Sequence, residues 1–111
     1  MNNKAFPYHA IELDRQRMLK VTFRSLMLFE EVRGINPLSP NFFNRMNATD
    51  LVVLLWACLR HEDKELTIET VSDMVNPKNY PSIKLELAKA WEAFKPKEVE
   101  GPVPLVQNLP G

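Results

Sequence analysis

The chain has 111 residues, 45% of them apolar and 25% charged, with fourteen basic and fourteen acidic side chains in balance. That size suits one domain, and a net charge of zero gives no global field drawing it to nucleic acid or an anionic membrane surface. The single cysteine, Cys58, excludes an internal disulfide and fits a reducing compartment, and the opening MNNKAFPYHA lacks the apolar stretch of a secretory signal.

Residues 1–10 carry little pattern and read as a loose arm. Ile11, Leu13, Leu19, Val21 and Phe23 then alternate with Glu12, Lys20, Thr22 and Arg24, a period of two that predicts a β-hairpin over 11–23 turning through Asp14-Arg15-Gln16-Arg17. The turn has no glycine, so one long helix from Arg15 to Arg33 stays open as a rival, although β-branched Val21 and Thr22 count against it. A helix is expected over 24–33, with Phe23, Leu26 and Met27 on one face and Leu28 and Val32 adjoining. Gly34 is a suitable terminator, because glycine enters the left-handed region without a Cβ clash. Ser39 before Pro40 has the form of an N-cap with proline at N1, so one helical turn carrying Phe42 and Phe43 is plausible.

Leu51 to Leu59 is an uninterrupted apolar run, LVVLLWACL. As a helix of about 1.5 Å per residue it spans roughly 13 Å, whereas about 20 apolar residues are needed to cross a bilayer. It therefore predicts a helix buried on every side, over 48–61, opened by Asn47 as cap and Asp50 returning a hydrogen bond. Arg60 to Glu65 reads as its solvated end. Thr67 starts the next helix, 68–75, with Leu66 and Val71 spaced as a hydrophobic staple and Ile68, Val71 and Val75 inward. Asn76-Pro77 should end it, and Pro81-Ser82 should open a last helix over 82–95 whose face is Ile83, Leu87, Ala90, Trp91 and Phe94. Residues 96–111 hold four of the nine prolines and read as an extended or disordered tail. The fold expected is mainly α: a small helical bundle, residues 1–95, with a short N-terminal β-hairpin and an extended Pro-rich C-terminal tail.

Catalytic chemistry finds little footing in these residues. Cys58 and His61 are neighbours on a helix and could form half a metal site, but His9 is the only other histidine and no second cysteine completes a tetrahedral set. Cys58 reads instead as a small core residue. No phosphate loop, dinucleotide fingerprint or nucleophile elbow occurs, so neither an enzyme nor a cofactor is expected. The two helices between Thr67 and Phe94 invite a helix-turn-helix reading, with Lys78, Asn79, Lys84 and Lys89 toward DNA. Glu86 and Glu92 offset those lysines, arginine is missing from the candidate recognition helix, and the connecting loop is long for the motif.

What remains is surplus apolar surface. Phe42, Phe43 and Met46 fall in a loop region, and Val103, Leu105, Val106 and Leu109 fall in the tail. Either the Phe pair plugs the bundle, or these groups bind another chain or a second copy. A proline-spaced apolar tail suits an extended mode of binding in a groove.

The order of features resembles a known family. Val21-Thr22-Phe23 leads into a helix ending Glu30-Glu31-x-x-Gly34, a polar-capped helix reads Asp50-Leu-Val-Val-Leu-Leu-Trp-Ala-Cys-Leu-Arg-His-Glu-Asp63, and Leu66-Thr67-Ile68-Glu69-Thr70-Val71 follows. Over roughly residues 11–94 this is similar to the tail assembly chaperones of long-tailed bacteriophages and of related prophage and gene-transfer tail clusters. Family members commonly read Leu-Leu-Trp-Ala-Gly-Leu, where this chain has Cys58 for the glycine, which bears on how closely a neighbouring helix approaches. The resemblance implies a non-enzymatic protein that coats the tape-measure protein, keeps it soluble and helps recruit tail-tube protein. It implies a self-associating protein of the host bacterial cytoplasm, absent from the mature virion, without nucleic-acid or membrane partners. The apolar run is then core, and the partner surface is expected at Phe42, Phe43, Met46, Val103, Leu105 and Val106. A helix-turn-helix DNA-binding regulator and a structural tail-completion component are the alternatives.

Overall fold

The computed structural model describes residues 8–95. In chain order they form β1 (Tyr8–Glu12), β2 (Gln16–Lys20), α1 (Phe23–Arg33), α2 (Phe42–Arg45), α3 (Ala48–Leu59), α4 (Ile68–Ser72) and α5 (Tyr80–Phe94). The architecture is mainly helical with an antiparallel hairpin at its N-terminal side; the expected tail, 96–111, lies outside the described residues.

The hairpin sits earlier than the 11–23 expected, pairing Tyr8 with Lys20 through to Glu12 with Gln16. Residues 8–10, expected in a loose arm, are therefore strand, and Val21 and Phe23 lie beyond it. The turn tightens by the Leu13 N–H donating to the Arg15 carbonyl at 3.0 Å. Arg17 then does what a turn glycine usually does by conformation: its Nε and Nη2 donate to the two Asp14 carboxylate oxygens at 2.7 and 2.8 Å, and Nη1 reaches Asp63 at 3.4 Å. Ile11, Arg17 and Leu19 are buried while Glu12 and Gln16 are exposed, the alternation of a half-buried sheet.

The rival single helix from Arg15 does not form, because α1 begins at Phe23. Thr22 caps it, accepting the Ser25 N–H at 3.1 Å while Ser25 Oγ accepts the Thr22 N–H at 2.7 Å. Gly34 ends it at φ 68°, its N–H donating to the Glu30 carbonyl. The buried face is Ser25, Leu26 and Phe29, which corrects the expected Phe23–Leu26–Met27 face: Phe23 and Met27 are 61% and 63% exposed. Ser39 does not cap α2, since its hydroxyl donates to the Asn36 carbonyl at 2.9 Å; Asn41, in the left-handed region at φ 62°, precedes that short helix instead.

Asn47 and Asp50 form the expected reciprocal cap of α3, at 2.8 and 3.1 Å, and Arg33 Nε donates to Asp50 at 2.7 Å, tying the end of α1 to the start of α3. Every residue from Leu51 to Leu59 is buried except Val52, which is half-buried. Coverage comes from α1, α4 and β2, with the Trp56 indole N–H donating to the Leu66 carbonyl at 3.0 Å. The helix stops at Leu59 rather than 61, because the Glu62 and Asp63 N–H groups both turn back to the Leu59 carbonyl. From that exit, Glu62 accepts the Met18 N–H at 3.3 Å and His61 Nε2 meets the Met18 carbonyl at 2.8 Å, seating β2 on the end of α3.

The α4 helix is shorter than the expected 68–75, since Met74 and Val75 donate to carbonyls three residues back and the chain tightens out of the α-helical pattern. The last helix begins earlier than 82. Asn76 and Asn79 exchange side-chain to backbone bonds at 2.7 and 3.0 Å, so Pro77 enters a capped turn that runs straight into Tyr80. Ile83, Leu87 and Ala90 of α5 are buried, and the helix packs on both strands of the hairpin.

A candidate interaction groove

The segment 37–44 and one side of α5 enclose an open groove of about 920 Å³. Aromatic packing builds its floor. Phe42 is 6% exposed, edge-on to core Phe29 with centroids 5.3 Å apart and tilted against Trp91 at 5.6 Å. Phe43 packs edge-on against Phe42 at 6.0 Å and tilted against Trp91 at 5.5 Å, and both Phe43 and Trp91 are half-buried. Leu38, Tyr80 and Leu85 rise around them at 57%, 39% and 55% exposure. Lys84, Glu92 and Lys95 supply the charges of the lining. The aromatic path continues from Trp91 to Phe94 at 6.2 Å and on to Phe23 of α1 at 6.1 Å, so apolar surface extends around the end of α5 toward Met27.

The groove's chemistry is apolar contact, with Lys84, Lys95 and Glu92 as its charged groups. Nothing in its lining resembles a nucleophile–base pair. Among the described residues no cluster of three His, Cys, Asp or Glu side chains is placed to hold a metal. Cys58 and His61 go different ways: the thiol is buried and hydrogen-bonded to Ser25, whereas the imidazole is exposed on the Met18 carbonyl. Burial pushes the Cys58 thiol up to about 12, more than the Ser25 hydrogen bond lowers it, so it stays protonated and unreactive at neutral pH. No helix among the described residues is long and apolar enough to cross a membrane.

Of the expected partner residues, Phe42 and Phe43 both line the groove but differ in role. Phe42 plugs the bundle as the buried floor, and Phe43 forms the open wall. Met46 is half-buried outside the lining, and Val103, Leu105 and Val106 lie outside the described residues. Sequence reasoning missed Leu38, Tyr80 and Leu85, and placed Trp91 only on the inner face. Leu85 carried a usable signal: at 100° per residue it falls far from the Ile83–Leu87–Ala90 stripe, so a leucine there has no core to enter. The apolar residues Phe23, Leu26, Met27, Leu28 and Phe29 near the start of α1 allow two faces, and only packing on α3 selects Leu26 and Phe29 over Phe23 and Met27.

Comparison with protein-family models, with curated proteins and with solved structures finds no match to the chain.

Proposed function

We propose that the chain is a non-enzymatic tail assembly chaperone of a long-tailed phage or related tail cluster, whose α5 groove takes apolar stripes of a helical tape-measure protein. The order of elements and the helix from Asp50 to Asp63 carry the resemblance behind this reading. The observation that supports client binding is the open apolar surface of Leu38, Tyr80 and Leu85 beside the Phe43–Trp91 contact and above buried Phe42.

A helical client presents side chains at i, i+3, i+4 and i+7 along one face. A groove that buries about 300 Å² of such surface gains roughly 7 kcal/mol at about 25 cal/mol per Å², before association costs of comparable size. A single contact is therefore reversible, and many copies along one client hold it by avidity. In this role the protein keeps the tape-measure protein soluble, self-associates along it, helps bring in tail-tube subunits, works in the host bacterial cytoplasm and leaves before the particle is complete.

Co-expression with a tape-measure fragment tests the reading. The fragment is expected to become soluble and to co-purify with the wild-type chain. Replacing both Leu38 and Leu85 by Glu, at exposed positions where the fold loses little, should abolish co-purification while the far-ultraviolet circular dichroism is unchanged. A fragment that is equally soluble alone and never co-purifies overturns the proposal, as does recovery of the protein in stoichiometric amounts from purified virions.

A further inference from the structure

We infer that α1 is the contact surface of a twofold-symmetric homodimer, its outer face lying antiparallel on α1 of a second copy. Of the six large apolar side chains exposed among the described residues, Phe23, Met27 and Val32 stand on this one helix, at 61%, 63% and 45% exposure. The inner side of α1 packs on α3 through Leu26 and Phe29, so the outer side has no element of its own fold to cover it. Exposed apolar groups gathered on one element mark a docking surface.

The charges on that face select its occupant. Arg24 and Glu31 are seven residues apart, so they fall within about 20° of one line along the helix, roughly 10 Å from each other. Both are exposed, and neither they nor Glu30 belongs to an ion pair among the described residues. Met27 and half-buried Leu28 flank the line at its midpoint, while Phe23, tilted against Phe94 at 6.1 Å, and Val32 lie at the margins. A face with a basic end, an apolar middle and an acidic end is complementary to itself when reversed. Turned about a twofold axis between Met27 and Leu28, Arg24 of each copy meets Glu31 of the other, and the two Met27 side chains meet beside the axis. Parallel pairing would instead set Arg24 on Arg24 and Glu31 on Glu31. The antiparallel arrangement also opposes the two helix dipoles. Apolar contact at the middle supplies the attraction, and the two ion pairs fix the register. One helix face is smaller than the roughly 800 Å² per partner of a standard interface, so the dimer forms only at micromolar concentrations and above. The inference rests on α1 alone, whatever the groove takes, and does not depend on the tape-measure reading.

Sedimentation of the full chain from about 10 μM to about 1 mM tests it, with a monomer–dimer equilibrium expected in that range. Arg24→Glu or Glu31→Arg alone should weaken the dimer about tenfold, because each turns attraction into repulsion at both ends. Each change also puts the favoured charge at its end of the helix dipole, so a weaker dimer does not reflect a weaker fold. The two single variants mixed together should recover the wild-type affinity, since every cross pair is again opposite in sign, and so should the double variant. Met27→Cys should give a disulfide-linked dimer on mild oxidation, whereas Val32→Cys, roughly 13 Å from its own copy in this register, should not. Cys58 is buried and protonated and takes no part. A chain that stays monomeric throughout, or a dimer indifferent to both single reversals, overturns the inference, as does Val32→Cys linking more readily than Met27→Cys. The double replacement of Leu38 and Leu85 by Glu, which removes client capture, should leave the dimer intact, so failure of the one proposal is seen separately from failure of the other.

Discussion

Arg17 occupies an inward position of β2 at 4% exposure, where the alternation calls for an apolar side chain. It is tolerated there because its guanidinium is bidentate on Asp14 and touches Asp63. The first partner lies three residues away in the turn, whereas Asp63 is distant in sequence and is brought in by the exit of α3. Arg17→Ala should cost about 1–2 kcal/mol at pH 7, less than a fully buried pair, since the orphaned carboxylates regain water; urea denaturation checks it. The Arg17 hydrogen bonds hold the Asp14 carboxyl below the usual carboxylate range. Its stabilisation is therefore full above the unfolded value near pH 4 and fades as pH falls through the lower folded value. The gap between wild type and Arg17→Ala should accordingly narrow in acid, and a gap independent of pH would contradict the assignment. Cys58 was legible as a core residue from its place in an apolar run. Native protein should resist thiol reagents at neutral pH and react fully once unfolded. Cys58→Leu should overpack the site, where the thiol meets Ser25, by about 1–3 kcal/mol.

At the scale of elements, local chemistry was the legible part. The cap of α3 by Asn47 and Asp50, the Gly34 terminator and the Thr67 cap each follow from a few neighbouring residues, and each forms as expected. What local rules could not supply was set by packing or by side chains in competition. The face of α1 is selected by α3, Ser39 is diverted to the Asn36 carbonyl, and the Asn76–Asn79 exchange lets a proline that reads as a helix stop lead into α5. Asn47→Ala should cost about 1 kcal/mol, the usual worth of an N-cap. Asp50→Ala should cost more, about 2–3 kcal/mol, because it removes both the cap partner and the acceptor of Arg33. Equal losses for the two variants in chemical denaturation would mean that the Arg33 bond contributes nothing.

For the whole molecule, the aromatic path from Phe29 through Phe42 to Trp91 runs from the buried core to the open groove. Phe42→Ala should destabilise the fold by about 3–5 kcal/mol, as a buried Phe truncation does. Phe43→Ala, at a half-buried wall position, should cost clearly less in a thermal melt yet weaken capture of the groove's occupant. Similar losses of stability in both variants would argue that the wall is simply core. Sequence could point to the Phe pair but not separate its members, since the division depends on where α5 passes. The contacts of Met18 have a consequence at this same scale. A two-stranded sheet has an edge on each side, and an unpaired edge is a template for the strands of other molecules. Glu62 and His61 engage both the N–H and the carbonyl of Met18, so the middle of β2 has no free backbone pair for an incoming strand to zip onto. The bonds that seat the hairpin thereby act as a guard against ordered aggregation, in a protein whose apolar groove already invites company.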